Sequence, residues 1–105
     1  MMLTENETAK KLPRSVDQAF DRLTLKLSLT EKSMIANMSE EELINLQFTL
    51  GEHIRKEFHL SENNDLIESC RLIAKVDHIN IGHAAFTIIL EFWKKLQPIF
   101  IFNRH

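Results

Sequence analysis

The 105-residue chain carries 13 Lys and Arg against 15 Asp and Glu, with 44% hydrophobic and 27% charged residues. Its length suits a single domain that buries roughly 65% of the surface its unfolded chain would expose, and its composition is that of a soluble globule. The balanced charge argues against nucleic-acid binding, which needs clustered basic residues, and the lone Cys70 allows no internal disulfide.

Met1 to Thr8 is polar and acidic, unlike the basic and then apolar start of a signal peptide. Residues 1–12 read as a flexible leader, residues 13–97 as a helical domain and residues 98–105 as an apolar tail. Only two glycines and two prolines interrupt the chain, and no Asn-Gly or Asp-Gly pair marks a hairpin. The expected fold is therefore all-α, a compact bundle of about five helices in one domain.

The first helix is expected at Ser15, with Gln18 completing a capping box and Val16, Ala19, Phe20, Leu23 and Leu27 on one face. A short second helix is expected from about Thr30 to Asn37, capped by Thr30, with Leu29 and Met34 as its hydrophobic staple. The third has the strongest start signal, a Ser39–Glu42 capping box with a Met38–Leu43 staple, and is expected to run to about Phe58. The fourth follows the loop His59–Asn64, with Ser61, Asn63 or Asn64 as cap and Leu66, Ile67, Cys70, Ile73 and Ala74 on its inner face. The fifth is expected to start near Asp77 and to stop before Pro98.

The third helix has an apolar arc of about 200° at 100° per residue, which suits a central helix. Gln47, Gly51 and Arg55 fall within or beside that arc at spacing i, i+4, i+8. A structural role for this row has Gly51 admitting a neighbouring helix, Gln47 bonded to a loop and Arg55 paired with Asp65 or Asp77. A functional role makes Gln47, Gly51, Arg55 and Asp77 a small polar pocket for a ligand or substrate.

The fifth helix carries two apolar stripes, one of which would suffice to dock it. The second, Ile79, Phe86, Leu90 and Trp93, together with Ile99, Phe100, Ile101 and Phe102, is expected to meet a partner, most simply in a two-fold homodimer. No membrane span is expected, because Ile79 to Leu96 is interrupted by Asn80, His83, Thr87, Glu91, Lys94 and Lys95. The expected location is the cytoplasm.

No catalytic set stands out. His53, His59, His78, His83 and His105 include no i, i+4 pair, so neither a metal site nor another cofactor is expected. Glu52 and His53 diverge by about 100° on a helix, and Cys70 lies among apolar neighbours as an inert thiol. Phosphate loops and nucleophile elbows are absent.

The segments Leu12-Pro13-Arg14-Ser15-Val16, Met38-Ser39-Glu40-Glu41-Glu42-Leu43 and Leu46-Gln47-Phe48-Thr49-Leu50-Gly51-Glu52-His53-Ile54-Arg55, with Phe58, Leu60, Asn64, Leu66 and the late Asp77, resemble a family of small bacterial all-helical domains of unknown function. The resemblance covers about residues 12 to 96. It departs from the family pattern at Gln47, often His there, and in the loop after Phe58, which lacks a tryptophan. It implies a fold but no activity. The leading reading is thus a small cytoplasmic interaction module, homodimeric and possessing an unidentified protein partner. The alternative is a ligand-binding or enzymatic domain with the polar pocket around Gln47, Gly51, Arg55 and Asp77.

Overall fold

A computed structural model describes residues 11–100. Six α-helices and two 3-10 turns follow one another, with no strand among the described residues. They are α1 (Val16–Lys26), α2 (Leu29–Ala36), α3 (Glu40–Asn45), a 3-10 turn (Leu46–Phe48), α4 (Leu50–Glu57), a second 3-10 turn (Leu60–Glu62), α5 (Asn64–Ala74) and α6 (Ile81–Phe100).

Caps explain most of the starts. Ser15 caps α1 by accepting from Gln18 N at 3.2 Å, but Gln18 Oε1 reaches one residue further back, to Arg14 N at 2.8 Å. The second helix is capped by Ser28, not Thr30, because Ser28 and Glu31 form the complete reciprocal box. Leu29 and Met34 therefore fall on its outer side, 71% and 59% exposed, rather than closing a staple. Ser39 and Glu42 form the expected box on α3, and Leu43 is buried.

The expected helix from Ser39 to Phe58 is broken in two. At Thr49 the backbone turns to φ −119° and ψ −73°, and both its N–H and its hydroxyl are directed at Leu46 O, at 3.1 and 3.4 Å. A β-branched hydroxyl residue offers the backbone this alternative partner. The break rotates α4 relative to α3, so Ile44 and Phe48 point outward while Leu43, Leu50 and Ile54 remain in the core.

Asn63 joins three parts of the chain. Its Oδ1 accepts from Leu66 N at 3.2 Å, capping α5, while Nδ2 donates to Pro13 O at 2.9 Å and Phe58 O at 3.0 Å. Ser69 Oγ accepts from Val16 N at 3.0 Å, and Arg14 pairs with Asp65 at 2.8 Å, fixing the entry of α1 against α5. On α5, Leu66 and Cys70 face inward, whereas Ile73 is partly in solvent. Helix α5 ends at Lys75 in the left-handed region, φ 59°, and Arg71 secures the turn by donating to Val76 O at 2.9 Å.

The last helix begins four residues later than Asp77. Asn80 caps it, accepting from His83 N at 2.7 Å, while Asp77 is exposed in the connection before it. It also passes through Pro98 to Phe100 instead of stopping. Proline removes one backbone bond near the end of a long helix, and the packing of Leu96 and Phe100 on the core holds that turn. Helix α6 touches all five other helices and both 3-10 turns. That central position accounts for its two apolar stripes: Ala84, Ala85, Ile88, Ile89, Phe92 and Leu96 are buried, and Phe86, Leu90, Trp93 and Phe100 pack partly buried against the same core.

Candidate functional site

The polar row predicted from helical spacing is only partly assembled. Gln47 sits on the 3-10 turn and Gly51 on α4; a Cβ built on Gly51 would lie 3.7 Å from Gln47 Cβ. Arg55, half-buried one turn on, pairs with Glu52 at 3.2 Å, not with Asp65 or Asp77. Asp65 is taken by Arg14, and Asp77 lies near Arg71, whose pKa is raised first by the Glu68 hydrogen bond and least by Asp77. Among the described residues no buried side-chain nitrogen or oxygen lacks a hydrogen-bond partner.

Gly51 is buried without a positive φ. Its added Cβ would meet Ile89 Cδ1 at 3.7 Å and Leu46 O at 3.8 Å, ordinary contact distances. Gly51→Ala is therefore expected to stabilise the fold by about 0.5–1 kcal/mol through helix propensity and lower unfolded-state entropy. A urea midpoint that rises with an unchanged slope would agree with this; a lower midpoint would show that the backbone needs the glycine.

The surface expected on the last helix is largely used inside the chain. Ile79, Phe86, Leu90, Trp93 and Phe100 pack against the core, and Trp93 Nε1 donates to Met38 O at 3.0 Å. Ile99 is exposed; Ile101 and Phe102 lie outside the described residues. Cys70 is buried and unpaired to any other cysteine, with burial pushing its thiol up to about 12. An inert neutral thiol follows. No group of three or more His, Cys, Asp or Glu side chains among the described residues is placed to share a metal ion.

An apolar concavity lies elsewhere, between α2 and α4. It is a groove of about 310 Å³, large enough for a small ligand or a few side chains. Met34 and Ile35 form one wall, Leu46 and Leu50 the other, and Leu27 and Met38 complete the lining. The polar groups at its edge are Glu31, Thr49 and His53. Two of these are committed locally: Glu31 Oε1 accepts from Ser28 N at 2.8 Å, and the Thr49 hydroxyl is directed at Leu46 O. His53 Nε2 lies 3.8 Å from Glu57, which also meets Lys26 at 3.4 Å.

The exposed large apolar residues are concentrated on the same stretch of chain. Leu25, Leu29, Met34, Ile44 and Phe48 are five of the eight such residues described. Phe48, 77% exposed, belongs to the 3-10 turn whose Leu46 lines the groove. Helical spacing could not reveal this surface, because it arises where α3 stops and α4 starts on a new axis. The outward Leu29 and Met34 were its available signal, once Ser28 is recognised as the cap.

A family model described as a domain of unknown function, DUF6794, matches residues 12–96. No curated protein and no solved structure matches the chain.

Proposed function

The chain belongs to the DUF6794 family of domains of unknown function, and we propose that it is a small protein-interaction module that holds a partner protein through the apolar groove between α2 and α4. The observation that carries this reading is a groove walled by six apolar side chains, Leu27, Met34, Ile35, Met38, Leu46 and Leu50, of which Met34 is 59% exposed. An apolar surface gathered in one place favours removal from water by a partner. Interaction is favoured over catalysis because two of the three polar groups at the groove edge are already bonded within the chain. A reducing, cytoplasmic setting belongs to the same reading and is supported by the free, buried Cys70.

A homodimer through α6 has less to draw on. Of the residues expected there, Ile99 is the one large apolar side chain among those described that stands in solvent. The reading therefore rests on a different protein as partner.

An environment-sensitive naphthalene sulfonate dye tests whether the groove accepts apolar groups. The folded protein is expected to enhance its emission, and Met34→Gln/Leu46→Gln is expected to lose most of that signal while keeping its far-UV spectrum and melting temperature. Absence of enhancement in the parent protein, or equal enhancement in a folded variant, would contradict the reading.

A further inference from the structure

We infer that the groove's occupant is the apolar ridge of a basic amphipathic helix on the partner protein. This rests on the interaction reading above and adds the chemistry of the partner. Residues 27–53, which supply every wall of the groove, contain five glutamates, Glu31, Glu40, Glu41, Glu42 and Glu52, against a single lysine, Lys32. The rest of the described chain is not acidic: residues 54–100 hold six basic and six acidic side chains. The apolar cleft is thus lined by an acidic stretch of the sequence.

Several of these charges remain available to a ligand. Among the described residues Glu31, Glu40, Glu41 and Glu42 have no ion-pair partner and all four are exposed; Glu31 and Glu42 each accept one backbone N–H through Oε1 and keep their charge. Glu31 lines the groove, and Glu40 and Glu41 open α3 two and three residues after Met38, another of its lining residues. The ammonium of Lys32 is turned back to Thr24 O at 2.8 Å.

Size and lining fit a helix ridge. The volume equals about ten waters of bulk liquid, which seats a few side chains but not a helix backbone. Leucine-sized residues at i, i+3 or i+4 and i+7 of a docking helix would enter it, and Met34 and Met38 can adjust to their shapes. Lysine or arginine beside that ridge would meet the glutamates, setting orientation and association rate. A second copy of this chain is disfavoured, because a two-fold contact through the groove would bring together two Glu31 side chains and two stretches of the same net negative charge.

Fluorescence anisotropy on the full chain tests this with three labelled synthetic helical peptides. All share one leucine ridge, flanked by Lys, by Gln or by Glu. The Lys peptide is expected to bind at least about tenfold more tightly than the Gln peptide, a difference of about 1.4 kcal/mol, and the Glu peptide more weakly still. The preference is expected to collapse at about 1 M salt, where the Debye length is about 3 Å. Glu31→Gln, which keeps an oxygen for Ser28 N, is expected to reduce Lys-peptide affinity without changing that of the Gln peptide, and Met34→Gln to weaken all three. Equal affinities for the three peptides would overturn the basic partner but leave the interaction reading in place. No peptide binding with dye enhancement retained, or protein self-association that blocks the peptides, would also overturn it. Loss of both peptide binding and dye enhancement would remove the interaction reading itself.

Discussion

Replacing Phe92 with alanine is expected to destabilise the domain by about 3–5 kcal/mol, the range for removing a buried aromatic ring from a packed core. Phe92 is the largest of the fully buried side chains, 1% exposed, on the helix that touches every other helix. Its ring lies 5.4 Å from that of Phe20 at 58°, a tilted arrangement that adds favourable edge-to-face contact. Lys95 strengthens the same corner, with its ammonium 5.1 Å above the Phe20 ring and an ion pair to Asp17. Domains of this kind have only about 5–15 kcal/mol in total, so the variant would be partly unfolded if the parent lies at the low end. Urea unfolding gives the readout, and Phe92→Leu provides a folded control expected to lose less than about 1.5 kcal/mol. An alanine variant within about 1 kcal/mol of the parent would contradict the central placement of α6.

Asn63→Ala is expected to be nearly as damaging, at about 3 kcal/mol. Loss of the N-cap bond to Leu66 N costs about 0.5–2 kcal/mol. Truncation also strips the amide from two carbonyls, Pro13 O and Phe58 O, in a part of the fold where Asn63 is only 8% exposed. Leaving buried acceptors unbonded costs about 1–3 kcal/mol. Asn63→Asp separates the two contributions, since a carboxylate can still cap α5 but cannot donate to either carbonyl. The Asp variant is expected to remain well below the parent in stability. Full recovery would show that the clamp on Pro13 and Phe58 contributes little.

Both effects depend on features that the sequence discloses unevenly. The Ser39–Glu42 box is legible because its two residues sit next to one another in the helix they start. Ser28 and Asn80 were equally available as caps, but Thr30 and Asp77 satisfy the same residue preference, and only geometry chooses between neighbours. The halt at Thr49 has no glycine or proline to announce it; it comes from a hydroxyl residue that finds Leu46 O. Nor does Lys75 look like a left-handed cap.

The proposed docking surface was harder to read for a related reason. Apolar stripes on α6 resemble an interface as long as the helix is imagined at the edge of a bundle. Once α6 is central, Phe86, Leu90 and Trp93 become contacts within the chain. The groove, by contrast, depends on the angle between α2 and α4, which is set by the Ser28 cap and the Thr49 break together. Local spacing placed Leu27 on the inner face of the first helix and Met34 and Met38 in hydrophobic staples, and all three line the groove. It could not show that Met34 and Phe48 would be left outside.

The most direct test of the groove is methyl-selective NMR on the full chain, titrated with the Lys-flanked amphipathic peptide. The Met34 and Met38 methyls, with those of Leu27, Ile35, Leu46 and Leu50, are expected to shift together and saturate with one affinity. Perturbations centred on Leu90 and Ile99 of α6, with the two methionines unmoved, would contradict the account.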